Sequence, residues 1–192
     1  MGDYRPTRED AWNLLNKYVK NESQIKHALA VEAAMVHFAK LYNEDVEKWG
    51  VVGLIHDLDY DQYPDEHCKI TEQLLREENW PEDYIRGVLS HGWKLCTDVE
   101  PKETMEKVIY TVDELTGLIA ATALMRPSKS IMDMEAKSVK KKWGQKSFAA
   151  GVDRSVIEDG ASMMDMELKD IIHETILGMR EVAEEIGLKG DL

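Results

Sequence analysis

A chain of 192 residues is long enough for one domain with a sizeable core and short for two independent ones. Its 43% hydrophobic and 32% charged residues are those of a globular protein, and five prolines with twelve glycines leave little room for long disordered linkers. A formal charge of −13 argues against binding a nucleic acid polymer or an anionic membrane, which clustered Lys and Arg would have to hold, although a local basic patch could still take a small phosphate.

The opening segment "MGDYRPTRED" is charged from its third residue, has no apolar signal core, and carries Pro6 where a myristoylation signal wants Ser or Thr. The longest apolar stretch, "LIAATALM" at 118–125, is too short to span a bilayer. Cys68 and Cys96 are too few for a disulfide framework, which fits a reducing compartment. The expectation is a cytoplasmic protein.

Apolar residues recur at three- and four-residue spacing nearly throughout, and strand-like alternation is absent, so the chain reads as all-α. Thr7 followed by Asp10 marks a helix start, with Trp12, Leu15 and Val19 on one face. A second helix spans about Gln24 to Tyr42. The third, "DVEKWGVVGLIHDL", is apolar almost all round in its second half and belongs at the centre of a bundle, where Gly53 lets a neighbour approach. After the turn-like "DYDQYPDE" a fourth helix runs from near His67 to about Asn79, and Pro81 starts a fifth that Gly92 closes. A long sixth, "KETMEKVIYTVDELTGLIAATALM", stops at Arg126-Pro127. Between Arg126 and Lys146 the composition turns basic, with seven Lys or Arg against Asp133 and Glu135. The last helix is expected from roughly Ser162 to Ile186, with a stripe that includes Met166, Ile172, Ile176, Met179 and Val182. The division expected is a helical core over 1–125 and a helical extension over 126–192 packed on it.

The residues that carry chemistry are those that interrupt apolar helical faces: His27, His56, Asp57, His67, His91 and Asp113. Apart from the His56-Asp57 pair, each comes from a different helix or its end, and a bundle can aim such residues at one interior point. Asp113, in "KVIYTVDELTGLI", has largely apolar surroundings, where an unpaired carboxylate would cost several kcal/mol. Neutral imidazoles with carboxylates suit Fe, Mn, Ni, Co or Zn, while the lack of a Cys cluster argues against a thiolate zinc site. Six ligands fit two ions. Asp57 would bridge them, and a water between them would become hydroxide near neutrality.

In this arrangement the chain resembles the HD superfamily of metal-dependent phosphohydrolases. The family order of His, His-Asp and a distant Asp is matched by His27, His56-Asp57 and Asp113. His67, opening "HCKITEQLL", and His91, in "VLSHGW", match the positions that supply the second metal in the dinuclear branch, which includes diadenosine tetraphosphate hydrolase-like proteins. The resemblance covers roughly residues 20–125; beyond it, "DELTGLIAATALMRPSKS", "KSVKKKW" and "FAAGVDR" are similar to a group of predicted HD hydrolases. It implies an HD-type helical bundle with His56 and Asp57 as catalytic residues. Many relatives have Lys three residues after the aspartate of the pair. This chain has Tyr60 there, after Leu58 and Asp59, and either Asp59 or Tyr60 stands in as a hydrogen-bonding group or both are turn residues.

Phosphoryl chemistry also needs positive charge for the non-bridging oxygens. Arg126, Lys129, Lys140, Lys141 and Lys142 are candidates because their segment follows the helix bearing Asp113, and Lys94 because it lies three positions after His91. His37 and His173 are expected outside the site. The leading expectation is a hydrolase that acts on a small phosphate ester or nucleotide through a metal-activated hydroxide. A di-iron oxygenase that cleaves a carbon bond, and a non-catalytic sensor module stabilised by metal, are the alternatives.

Overall fold

The computed structural model describes residues 4–191; the first residues of the segment inspected above for targeting signals, and Leu192, lie outside them. Among the described residues the regular elements are helical, in the order α1 (Arg8–Tyr18), α2 (Glu22–Tyr42), α3 (Val46–Ile55), a 3-10 turn (Pro64–Glu66), α4 (Lys69–Glu77), α5 (Glu82–Ser90), α6 (Thr104–Leu124), α7 (Ala136–Trp143), α8 (Arg154–Met163) and α9 (Leu168–Arg180). None of the helices is long and apolar enough to cross a membrane.

Local chemistry sets the ends. Thr7 begins α1 with a reciprocal capping box, its side chain accepting from the Asp10 backbone while Asp10 accepts from the Thr7 backbone. α2 closes with Asn43 in the left-handed conformation (φ 56°), and Glu44 N–H reaches back to the Ala39 carbonyl. The expected single helix from Ser162 to Ile186 is instead broken. Asp165 turns left-handed (φ 51°), its N–H bonds to Ser162 O, and Met166 N–H bonds to Ala161 O, which satisfies the last carbonyls of α8. α9 then starts afresh at Leu168 and ends at Arg180, so Met166 and Val182 lie outside it.

α3 is the central element: every residue from Trp49 to Ile55 is buried. It packs most extensively on α2. A Cβ on Gly50 would meet Val36, and one on Gly53 would meet the backbone of Glu32 at 3.1 Å, so as α3 advances its neighbours on α2 recede and the two run antiparallel. Gly53 is small because the backbone of α2 passes against it. α9 lies on another side of α2, and α8 lies along α6. The result matters for function in one way. The carboxyl ends of α3 and α5, the first turns of α2 and the middle of α6 converge on one pocket.

Candidate metal centre

The pocket has a volume of about 440 Å³, and at its base are His27, Asp57, His67, His91 and Asp113. His56 lies behind them, fully buried. Gln24, Tyr60, Pro64, Leu95, Gly117 and Val152 form much of the wall and mouth, with Glu114 beside Asp113.

Two of the histidines are held the same way. His56 is the C-cap of α3 and His91 the C-cap of α5, positions where helical carbonyls lack partners. His56 Nδ1 bonds to Gly53 O at 2.7 Å and His91 Nδ1 to Val88 O at 2.6 Å. A carbonyl can only accept, so each Nδ1 carries the hydrogen and each Nε2 faces the pocket. His67 reaches the same state by another route, donating Nδ1–H to Asp59 Oδ1 at 2.7 Å.

The atoms that meet are therefore mostly acceptors. Asp57 divides them, one oxygen to each side. Oδ2 lies 3.4 Å from His56 Nε2 and 3.6 Å from His27 Nε2, and these two nitrogens lie 3.2 and 2.9 Å from Asp113 Oδ1. Oδ1 lies 3.4 Å from both His67 Nε2 and His91 Nε2, which are 3.2 Å from each other. Lone pairs facing one another at such distances repel unless a proton or a cation stands between them. A hydrogen bond serves from His27 and from His56 to Asp113, and the same spacing also suits a metal: ligand bonds of about 2.0–2.2 Å put neighbouring donors roughly 3.0 Å apart at right angles and roughly 3.4 Å apart at a tetrahedral angle. The two sets His27, His56, Asp57, Asp113 and Asp57, His67, His91 each bring one ligand atom per residue within 4.8 Å of the others. The donor chemistry, imidazole nitrogen and carboxylate oxygen, is that of a divalent transition-metal site.

Proton binding shows the same demand for positive charge. Burial pushes the His56 imidazole down, but Asp57 and Asp113 overcome this and hold it well above its ordinary value. Burial would raise the carboxyls of Asp57 and Asp113, yet His56, helped by His91 at the first and His27 at the second, holds both well below the usual range. His67 is raised: burial opposes charging, and Asp59 with Asp57 outweighs it. Burial, with the neighbouring Asp113 charge, pushes Glu114 the other way, up to about 7.

A family model described as HD domain matches residues 25–122, a span that encloses all six of these residues. The chain belongs to the HD domain family. That family is a helical fold, and its members are mostly metal-dependent phosphohydrolases. Comparison with curated proteins and with solved structures returns no match.

None of the cations expected near substrate lines the pocket. Lys94 pairs with Asp159 on α8 at 2.8 Å and lies over the Trp93 ring. Three-residue spacing from His91 implies a shared face only on a helix, and α5 ends at Ser90 while Lys94 itself is left-handed (φ 66°). Arg126 bonds Ser138 and ion-pairs with Asp133 at 2.9 Å, bracing the loop after α6. Lys129 and Lys140 are exposed. Following Asp113 directly in sequence does not put Arg126, Lys129 or Lys140 in the pocket lining, because eleven further residues of α6 carry the chain about 16 Å along the helical axis before that segment begins. His37 pairs with Glu174 at 2.6 Å, and His173 is exposed.

Several pocket residues had no sequence signal. Gln24 and Val152 come from opposite parts of the chain, and Val152 belongs to the loop before α8. Cys68 and Cys96 are joined by a disulfide with Cα atoms 6.2 Å apart, at the flank of the His67–His91 half. A Cβ on Gly92 would collide with both sulfurs, so the residue after His91 has no side chain. One bridge is not a framework; this pairing follows from proximity that only the folded chain creates.

Proposed function

We propose that the protein is a metal-dependent phosphohydrolase that cleaves a small phosphate ester or nucleotide with two divalent ions. The observation that carries this reading is the division of Asp57, with one oxygen toward His27, His56 and Asp113 and the other toward His67 and His91. The first set would hold one ion and the second set the other, Fe, Mn, Ni, Co or Zn by donor type. Bound ions would lower the pKa of a water toward neutrality and offset the charge that develops on phosphorus oxygens.

The protein's own residues supply the rest. Among the described residues lining the pocket there is no Lys or Arg, so positive charge at the phosphate comes from the ions, which favours a small ester over a long polyphosphate. Leu95, Pro64 and Val152 present apolar surface for the organic part, while Gln24 and Tyr60 offer hydrogen bonds at the mouth. Glu114, which lines the pocket beside Asp113, would be the candidate to give a proton to the leaving oxygen. The proposed setting is the cytoplasm, where the Cys68–Cys96 bridge would be open to reduction.

The test is phosphate release from a panel of phosphomonoesters and nucleotides by protein loaded in turn with Mn, Fe, Co, Ni and Mg. Release that requires metal supports the proposal. Loaded protein that releases none from any substrate sinks it, and oxygen consumption by the iron form would replace it with oxygenase chemistry.

A further inference from the structure

The Asp59 carboxylate is fully buried, with neither Lys nor Arg in contact among the described residues. Its two oxygens have different partners. Oδ2 accepts from Thr71 N–H at 2.8 Å, in the first turn of α4, and the Asp59 backbone N–H returns a bond to Thr71 Oγ1 at 3.2 Å. Oδ1 takes the Nδ1–H of His67 at 2.7 Å. An unpaired carboxylate at this depth would cost several kcal/mol, and His67 is the one ionic partner it has among the described residues.

The need for such a partner follows from where His67 sits. His56 and His91 each end a helix and take their orientation from a carbonyl of that helix. His67 instead falls between the 3-10 turn and α4, next to Cys68 in a left-handed conformation (φ 70°), and its Nδ1 bonds to a side chain, Asp59, rather than to a helical carbonyl. Without Asp59 the ring could turn or take its other tautomer, which would point an N–H at Asp57 Oδ1. Asp59 and Thr71 tie that ring to the start of α4.

The geometry points to Asp59 as a positioning residue for metal: it fixes the His67 ring and keeps Nε2 free for the ion held with His91 and Asp57. This rests on the two-ion reading above and extends it to a residue outside the ligand set. A carboxylate behind a ligating imidazole sets the tautomer and raises its basicity, and loss of such a partner lowers metal affinity about 10–100-fold. The effect is local. Among the described residues Asp59 makes no hydrogen bond or ion pair with His27, His56 or Asp113, so only the ion held with His67 depends on it.

The experiment compares wild type and Asp59→Asn by Mn(II) titration calorimetry and by electron paramagnetic resonance of the loaded forms. Asn can still accept from Thr71 N–H, but turning its amide toward His67 forces the other tautomer. Wild type is expected to bind two ions with a coupled-pair spectrum. Asp59→Asn should bind one ion as wild type does and the second about 10–100-fold more weakly, with an uncoupled spectrum at limiting metal. Equal affinity for both ions in the variant overturns the inference. Nitrogen-15 resonances of His67 in metal-free wild type at alkaline pH give a second reading that does not depend on the variant folding: hydrogen on Nδ1 agrees, and hydrogen on Nε2 overturns it. Wild type that takes two ions but releases no phosphate removes the hydrolase reading and leaves Asp59 its role, whereas wild type that binds fewer than two ions removes both.

Discussion

The two halves of the centre share Asp57 and are built differently. In the half formed by His27, His56 and Asp113, the candidate ligands stand within α2 and α6 or cap α3, so packing of long regular elements sets their positions. In the half formed by His67 and His91, one ligand sits in a turn and is held by Asp59, and a cysteine pair flanks it. The contrast teaches that a shared carboxylate can join a site held by a rigid helical frame to one that depends on a few side-chain bonds. The second half should fail first when disturbed.

The strongest way to break the comparison is to remove what the halves share. Asp57→Ala should lose both ions and about 10³-fold in turnover, the several kcal/mol that metal charge contributes, with helical circular dichroism retained. Loss of helicity instead would make Asp57 structural.

Next in size is the separation of the halves. Asp113→Ala and His91→Ala should each reduce the bound metal, measured by elemental analysis after dialysis, from two ions to one. Electron paramagnetic resonance should then report different remaining sites in the two variants. Loss of both ions in His91→Ala would show that the halves do not bind independently.

Smaller, and present without metal, is a dependence on pH. His56 and His67 are raised above their unfolded values, so the stability they contribute is complete below about pH 6.5 and is lost as pH rises through their folded values. Asp57 and Asp113 are lowered, so theirs is present above about pH 4 and is lost as pH falls through their folded values. Chelated protein should therefore be most stable between these limits, and its Tm should fall by about 3 °C or more on going from pH 5.5 to 8.5. Metal competes with protons for the same nitrogens, so added Mn(II) should raise Tm more at pH 8.5 than at pH 5.5. Thermal scans with and without chelator check both signs.

The smallest effect lies outside both halves. Lys94→Ala breaks an exposed pair with Asp159 and should cost less than about 1 kcal/mol in denaturant unfolding, with the rate of phosphate release within about twofold of wild type. A much larger loss of activity would bring Lys94 into substrate binding.

Much of this was legible in the chain because it is local. α1 was marked by Thr7 and Asp10, α3 by an unbroken apolar run, and α5 by Pro81, since caps and periodicity act within a turn or two of the residues that cause them. The break at Asp165 was not legible, because the stripe of apolar residues continues across it while a left-handed residue stops the helix. The six acceptor residues stood out because they interrupt apolar faces. Asp59 was legible only as a hydrogen-bonding or turn residue beside Tyr60, because in sequence it is one acid among several in a polar turn, and only contact with His67 eight residues later gives it a partner. The lysines misled by adjacency, since a helix carries residues near in sequence to places far apart.

By itself, the sequence determined the helical class, the run of α1 to α6, and the set of imidazoles and carboxylates that a bundle could gather, because these depend on residue type and short-range spacing. Only the tertiary structure decided which oxygen of Asp57 faces which histidines, that Asp59 stands behind His67, that Cys68 and Cys96 meet, and that no Lys or Arg of the basic segment lines the pocket. Those are matters of angle and distance between elements, fixed by how α2, α3, α5 and α6 pack, and no single stretch of chain encodes them.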